Sequence, residues 1–421
     1  MAKKVSLESL SPEQIVALQV LQSGENVFLT GGAGSGKSYI IRHFMQENDV
    51  KDLPILASTG AAAVLLGGRT FHSFFGLGLM DGGPDATFER ASRDPKLMAR
   101  LKRVEGVIID EVSMIPGAAL MIAEALSQRA RDSRLPWGGL RVIAVGDFAQ
   151  LPPVARDGAD RDWAFRNSVW AQSGFQPCLL SHNQRVSDDR FLDILQDVRN
   201  GLVTPRVREF LEERVRIHDD EDPAPRLFPR RQQSEVYNAR RLAEIPEDEV
   251  KIDSIYFGSE RHVEILMKSA PVPMQLRLKV GCHVLFLQND PQKRWVNGTR
   301  GEITDIQIDK IIVKKVGGRD VSVEKSTFAL QDAEGNVTAS VIQYPLTLAY
   351  ATTIHKSQGA TLDHLWCDLG ALWEPGQAYV ALSRLRKGEG LNLLRWSPRS
   401  VITDPRVMDF YRRLQPVNVM S

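Results

Sequence analysis

Residues Gly31 to Ser38 read GGAGSGKS, which fits GxxxxGK followed by Ser or Thr, and they directly follow an apolar strand candidate, Asn26 to Thr30 (NVFLT). In such a loop the backbone N–H groups of Gly32, Ala33, Gly34, Ser35 and Gly36 curl around phosphate oxygens. Lys37 neutralises the β and γ phosphates, and the Ser38 hydroxyl is the type of ligand that takes Mg²⁺. A glycine-rich segment can also be a simple turn. The strand before it and the helix candidate after it, Tyr39 to Gln46, are the surroundings the phosphate reading requires. A nucleoside triphosphate is the expected ligand.

Two further segments fit hydrolysis. Asp110 and Glu111 end the apolar run GVIID, at the edge where an α/β sheet presents its ligands. There an Asp holds Mg²⁺ through water and the adjacent Glu takes a proton from the attacking water. Read alone, the pair could equally cap a helix starting near Ile115. Gly146 to Val154, GDFAQLPPV, follows the next strand candidate: Gln150 can orient water or touch the γ phosphate, Asp147 can sense metal-bound waters, and two prolines fix the exit of the chain. Arg185 in SHNQRVSDD and Arg384 in QAYVALSR offer guanidinium forks suited to phosphate. Each alone reads as readily as a surface charge. An Arg entering from a second domain would make hydrolysis depend on domain closure.

The elements that must position these groups form an α/β pattern. NVFLT, PILAS (Pro54 to Ser58), GVIID, RVIAVGD (Arg141 to Asp147) and PCLL (Pro177 to Leu180) are unbroken apolar runs separated by helical segments, the signature of a parallel sheet covered on both faces. GLGLMDGGP, Gly76 to Pro84, interrupts the rhythm and leads into a basic helical stretch with Lys96, Arg100, Lys102 and Arg103. It reads as a small insertion. A second alternation begins at Arg226 (RLF, then a helix over Ser234 to Ala243) and gives way to short β-rich runs, SIYFG, HVLFLQ, GTRGEI, KIIVKKV and DVSVEK, which suit a small barrel. LTLAY (Leu346 to Tyr350), LWCDLG (Leu365 to Gly370) and LNLLRW (Leu391 to Trp396) then restore the α/β rhythm.

With 421 residues, 43% of them hydrophobic and 25% charged, the chain can bury a large core and divides into more than one domain. A net charge of +1 gives no global basic field, so any polyanion must be met by local clusters. Cys178, Cys282 and Cys367 lie far apart without CxxC spacing and read as buried, reduced thiols. The amino-terminal run lacks a secretory core, and no stretch reaches the ~18 to 20 apolar residues that span a bilayer. A soluble, cytoplasmic protein is expected, with no membrane partner.

In order, these segments are a glutamine segment, the phosphate loop, STG, DE, GDxxQLPP, an upstream Arg, IHKSQG and VALSR. From Ser11 to about Arg395 the chain resembles superfamily 1 DNA helicases, closest to the group formed by the petite-integration-frequency (Pif-type) helicases, RecD and the phage protein Dda. DEVSMI running into a helix to Arg131, and IHKSQGATLD at Ile354 to Asp363, favour the Pif-type branch. The resemblance implies two RecA-like parallel-sheet domains. The first would span 1–178 and carry a small insertion at about 74–103. The second would span 179–253 and 341–421, with an SH3-like β-barrel inserted over 254–340.

The resemblance also implies that Gln14, in LSPEQ, contacts the adenine of ATP. Lys37, Ser38, Asp110, Glu111, Gln150, Arg185 and Arg384 would form the ATPase site, with Ser38 and Asp110 on Mg²⁺. Thr59 in ASTGAAA, His72 and Ser73 in TFHSFFG, and His355, Lys356 and Ser357 would hold single-stranded DNA through phosphate and sugar, which gives tracking without sequence preference. Arg185 lies between Gln184 and Val186, where the family normally has a Phe-Arg-Gln run. Lys293, Arg294 and Trp295 sit on a barrel loop that either touches DNA or packs as a hairpin, and Gly76 to Pro84 occupies the place of a strand-separating wedge.

The implied activity is a monomeric, ATP-driven motor that travels 5′ to 3′ on single-stranded DNA and unwinds forked or tailed duplex. An RNA-directed helicase of the same superfamily and a nucleotide-controlled binding switch are the alternatives. The short extent outside the core suits a bacterial or phage protein.

Overall fold

The computed structural model describes residues 10–47, 53–60, 62–63, 69–154, 160–217, 219, 221–331 and 336–415. Six parallel strands build the first sheet: β1 (Val27–Gly31), β2 (Ile55–Ala57), β3 (Arg69–Thr70), β4 (Gly106–Ile109), β5 (Arg141–Gly146) and β6 (Gln176–Leu180), in the order β3-β2-β4-β5-β1-β6. All residues of β1 and β4 are buried, because helices cover both faces. β1 is central, so Thr30 pairs with Gly146 on one side and Leu179 on the other. That register brings the phosphate loop, the residues after β5 and the residues after β6 to one sheet edge.

The insertion is two short helices, Gly83–Ser92 and Pro95–Arg103. It is fused to the first core: Ala91, Leu97 and Leu101 pack in the same cluster as helix Gly117–Arg131. Arg100 is buried, donating to the Phe74 carbonyl at 2.7 Å with its guanidinium over the Phe74 ring. The basic stretch is therefore only partly a surface feature.

The second domain carries a four-stranded parallel sheet of Ala351–Thr353, Arg226–Phe228, Leu365–Asp368 and Leu391–Arg395, in that order. The β-rich part between them is antiparallel. One sheet orders Asp320–Val323, Ile311–Lys315, Arg300–Ile306, His283–Phe286 and Leu346–Leu348, and two smaller sheets join Ser326–Gln331, Val337–Gln343 and Ile255–Gly258, and Gln275–Leu278 with Val250–Asp253. LTLAY is thus divided. Its first half closes the barrel sheet against His283–Phe286, and the chain enters the parallel sheet only at Ala351. A short, mostly apolar run such as LTLAY carries no mark of the bend at Ala349 and Tyr350.

Trp295 is a core residue of the barrel, its ring tilted against Phe286 at 4.7 Å between centroids, and Arg294 is held bidentately by Asp290 at 2.8 Å. The loop over Lys293 to Trp295 is therefore the packed hairpin and not an aromatic contact for DNA.

The last helix, Pro405–Arg413, follows the second sheet in sequence and was expected with it, yet buries its apolar side in the first domain. Phe410 meets Phe28, Phe148, Phe165 and Trp170, and Trp163 donates to Asp404 at 2.8 Å. The chain therefore crosses between the domains twice, near 181–188 and again near 396–404. No helix among the described residues is long and apolar enough to cross a membrane. All three cysteines are buried and unbridged, and burial pushes each thiol up.

Candidate nucleotide site and strand-facing edge

The phosphate loop turns on glycines in left-handed backbone. Gly34 (φ +84°) and Gly36 (φ +91°) sit where a Cβ would meet Arg185 Cβ at 2.9 Å and Gln14 Nε2 at 2.7 Å. Both close approaches join the loop to residues far away in sequence. Gln14 is 4% exposed and closes a capping box at the start of α1 (Pro12–Gln22), accepting from Ser11 N–H at 3.0 Å while its amide nitrogen faces Gly36. Glu13 next to it fixes the segment after β6 by accepting from the N–H groups of Ser181 and His182.

Lys37 opens α2 (Lys37–Glu47) and donates to the carbonyls of Gly31 and Gly32 at 2.7 and 3.0 Å. Burial lowers its pKa, opposed by Asp147, Glu111 and Asp110, so three carboxyls face this one ammonium. Ser38 is exposed at the head of the same helix.

Glu111 has a left-handed backbone (φ +53°), an unfavourable place for a residue with a Cβ. The turn falls two residues after the end of β4, and Glu111 there interacts electrostatically with Lys37 of the phosphate loop. Burial and then the neighbouring Asp110 raise its pKa to about 7, and burial raises Asp110 as well. Glu111 Oε2 and Ser35 Oγ are both buried without a hydrogen-bond partner. Unsatisfied buried oxygens of this kind, beside a lysine and a helix start, are the donor and acceptor set that Mg²⁺ and phosphate would complete.

The second domain supplies the opposite wall. Arg384 is 1% exposed and donates to the Val380 and Ser357 carbonyls and to Ser383 Oγ, at 2.8, 3.3 and 2.9 Å. Burial, then the charge of Arg185, pulls it down to about 9, while Glu111 acts in the opposite sense. Arg185 donates to the Ser383 carbonyl at 2.6 Å and lies against Gly34. Tyr379, in the same YVALSR run, accepts from Ala33 N–H at 2.7 Å. Gln150 is buried, its carbonyl pressed against Gly376 and its side chain 3.4 Å from Gln358. Lys37, Asp110, Glu111, Arg185 and Arg384 are thus gathered about the phosphate loop, coupled electrostatically or in direct contact with it. Asp147 does not have the freedom expected of it: both its oxygens are taken by Arg199, at 2.8 and 3.2 Å, a partner no motif had marked.

The other expected contacts follow neighbouring strand ends. Ala57 pairs with Thr70, so Thr59 and His72 each lie two residues beyond a paired position. Thr59 Oγ1 accepts from Ala62 N–H, and Ser73 is exposed in a short helix capped by Thr70. Burial lowers the His72 pKa. Thr353 pairs with Phe228, which puts His355 and Arg230 at matching steps. His355 and Lys356 are exposed, and His355 approaches Glu374 at 3.6 Å. Ser357 is buried, with its hydroxyl on the Ile354 carbonyl and its own carbonyl on Arg384. It sits beneath the edge rather than on it. Arg230 lies over the half-exposed Trp373 at 4.9 Å, a pair whose only mark in the sequence is the Trp that opens WEPG.

A family model described as PIF1-like helicase matches residues 10–209. The ATP-dependent DNA helicase Pif1 of Bdellovibrio bacteriovorus is 70% identical over 406 residues, covering 96% of this chain and 92% of that one. Pif1 from a Bacteroides species, crystallised with ADP-AlF4, superposes with a TM-score of 0.85 at 30% identity over 96% of each chain. The Candida albicans Pif1 helicase gives 0.79 at 33% identity, over 96% of this chain and 99% of that one.

Proposed function

Because the chain belongs to the PIF1-like helicase family, we propose that it is an ATP-dependent DNA helicase that translocates 5′ to 3′ on single-stranded DNA and opens forked or tailed duplex. The observation that carries the reading is the facing pair of walls: Lys37, Asp110, Glu111 and Gln150 from one domain, Arg185 and Arg384 from the other. Arginines brought by a separate domain make hydrolysis answer to domain position.

In this reading Gln14 meets the adenine, and the loop from Gly32 to Ser38 cradles the phosphates. Ser38 and Asp110 would hold Mg²⁺, which supplies charge to neutralise the phosphate oxygens. Gln150 orients the attacking water and Glu111 takes its proton. The raised Glu111 pKa poises it near neutrality, where a general base is most effective. Arg384 and Arg185 meet the charge that develops on the γ phosphate. The Ser357 carbonyl links Arg384 to the segment bearing His355 and Lys356, so grip on the strand and position of the arginine share one piece of backbone. With Thr59, His72 and Ser73 on the first domain, each domain has its own hold, and alternating the two yields a step. Leu79, 89% exposed at the tip of the insertion loop, suits an apolar wedge. We also propose a cytoplasmic monomer.

Steady-state ATP hydrolysis with and without an unstructured DNA strand, with Lys37→Ala as blank, tests this. Strong stimulation lost in the variant supports the motor, and tailed duplexes then report direction. Greater stimulation by RNA of equal sequence would replace the DNA assignment. Slow hydrolysis with every nucleic acid would leave a binding switch.

A further inference from the structure

Asp147 lies in a contact that involves three parts of the chain. It follows β5 in the first domain. Arg199, the last residue of helix Asp189–Arg199 in the second domain, reaches it with Nη2 at 2.8 Å and Nε at 3.2 Å. Tyr411, from the terminal helix, donates its hydroxyl proton to Asp147 Oδ1 at 3.0 Å. That hydroxyl has one proton, so it accepts the Phe148 N–H, and Thr30 Oγ1 at 2.9 Å is its other partner. Arg199 also lies over the Tyr411 ring at 4.6 Å.

The side chains of Asp147 and Arg199 are 0% and 11% exposed, so solvent screens this pair little. Burial alone would raise the Asp147 carboxyl, and Arg199 overcomes it, holding the group ionised below its usual range. Charged, hydrogen-bonded on both oxygens and linked through the Tyr411 hydroxyl to Thr30, the residue immediately before the phosphate loop, Asp147 is fixed as a rigid point. Three residues later Gln150 is pressed by Gly376 of the second domain. Thr403, on the second chain crossing, donates to the Arg199 carbonyl at 2.9 Å.

We propose that Arg199 and Tyr411 are positioning residues that use Asp147 to transmit the placement of the second domain to Gln150 and the phosphate loop. This assigns the Asp of GDFAQLPP to a cross-domain anchor and not to the metal's waters. The proposal rests on the helicase reading, deepening how that site is controlled. A merely structural ion pair would affect melting. A transmitting one affects turnover at constant substrate affinity.

The test measures kcat and KM for ATP with a saturating oligothymidylate, together with thermal melting, for Tyr411→Phe, Arg199→Lys and Arg199→Ala. Tyr411→Phe keeps the ring and loses only the hydroxyl, so it is informative even if Arg199→Ala does not fold. The expected result is a DNA-stimulated kcat reduced on the order of tenfold in Tyr411→Phe, as for sub-ångström to ångström misplacement of a reacting group. KM should stay within about twofold, and Arg199→Lys should recover part of what Arg199→Ala loses. If the wild type is stimulated and Tyr411→Phe and Arg199→Lys keep full kcat, or raise KM alone, the inference falls and the helicase reading stands. If DNA does not stimulate the wild type, both fall.

Discussion

Replacing Glu111 by Gln should abolish hydrolysis and, at alkaline pH, stabilise the nucleotide-free protein. The carboxyl titrates at about 7 in the folded protein against an ordinary value of 4.5. A folded pKa raised above the unfolded one means that the native state binds the extra proton between those values. The favourable term is complete below 4.5 and is lost as pH climbs through 7. At ~1.4 kcal/mol per pH unit this loss amounts to about 3 kcal/mol. Gln cannot ionise, so it does not lose that term. The stability gap between the Glu111→Gln variant and the wild type should therefore be about 3 kcal/mol wider at pH 8 than at pH 4.5, roughly 6 to 12 °C in the melting of a domain this size. Titrating groups that do not interact with Glu111 cancel in the comparison, whereas the neighbouring Asp110 carboxyl, freed of a like charge, ionises more readily in the variant. Mg²⁺ with ADP should narrow the gap, since positive charge beside the carboxylate favours its ionised form. Melting curves from about pH 4.5 to 8.5, with and without Mg²⁺ and ADP, give the readout. Parallel curves for the two proteins, or a variant that loses ground as pH rises, would refute the assignment of a destabilised acid at this position.

Arg384→Lys should keep a charge but lose the fork, lowering DNA-stimulated kcat by about 10³-fold or more with little change in oligothymidylate affinity by anisotropy. Gly36→Ala places a methyl against Gln14 and strains a left-handed residue, so ADP binding by calorimetry should weaken about tenfold or more. Trp295→Ala should destabilise the barrel by about 3 to 5 kcal/mol in denaturant melts. At a temperature where that variant remains folded, strand affinity should be unaltered. Leu79→Ser should leave DNA-stimulated hydrolysis intact and slow strand separation in a fork-unwinding assay; equal losses in both would remove Leu79 from the wedge.

The phosphate loop was legible because phosphate binding demands glycine at particular positions and a Lys-Ser at the helix start, and nothing else in a soluble fold makes that demand so locally. Five of the six strands of the first sheet were legible as apolar runs, of which GVII is buried throughout; the two-residue strand Arg69–Thr70, half-buried and polar, offered no such run. Arg384 was visible only through its motif; its burial follows from carbonyls of Val380 and Ser357 that no local pattern announces. The same holds for Arg199, which ends an ordinary amphipathic helix and acquires its meaning from a carboxylate 52 residues earlier. LTLAY and the terminal helix defeated the reading for one reason: an apolar face states that it must be buried, not against which sheet.

The return of the terminal helix to the first domain bears on the order in which the molecule can be made. Phe28, Phe148 and Trp170 complete their packing only with Phe410, and the polar end of that cluster waits for Tyr411. A chain emerging from the ribosome therefore cannot finish its first domain when that domain's sheet is complete. The aromatic surface stays open through synthesis of the barrel and the second sheet, and closes with the last helix. Nascent chains halted before Val407 should hold a loosened, protease-sensitive first domain, and the enzyme acquires its two halves together rather than in turn.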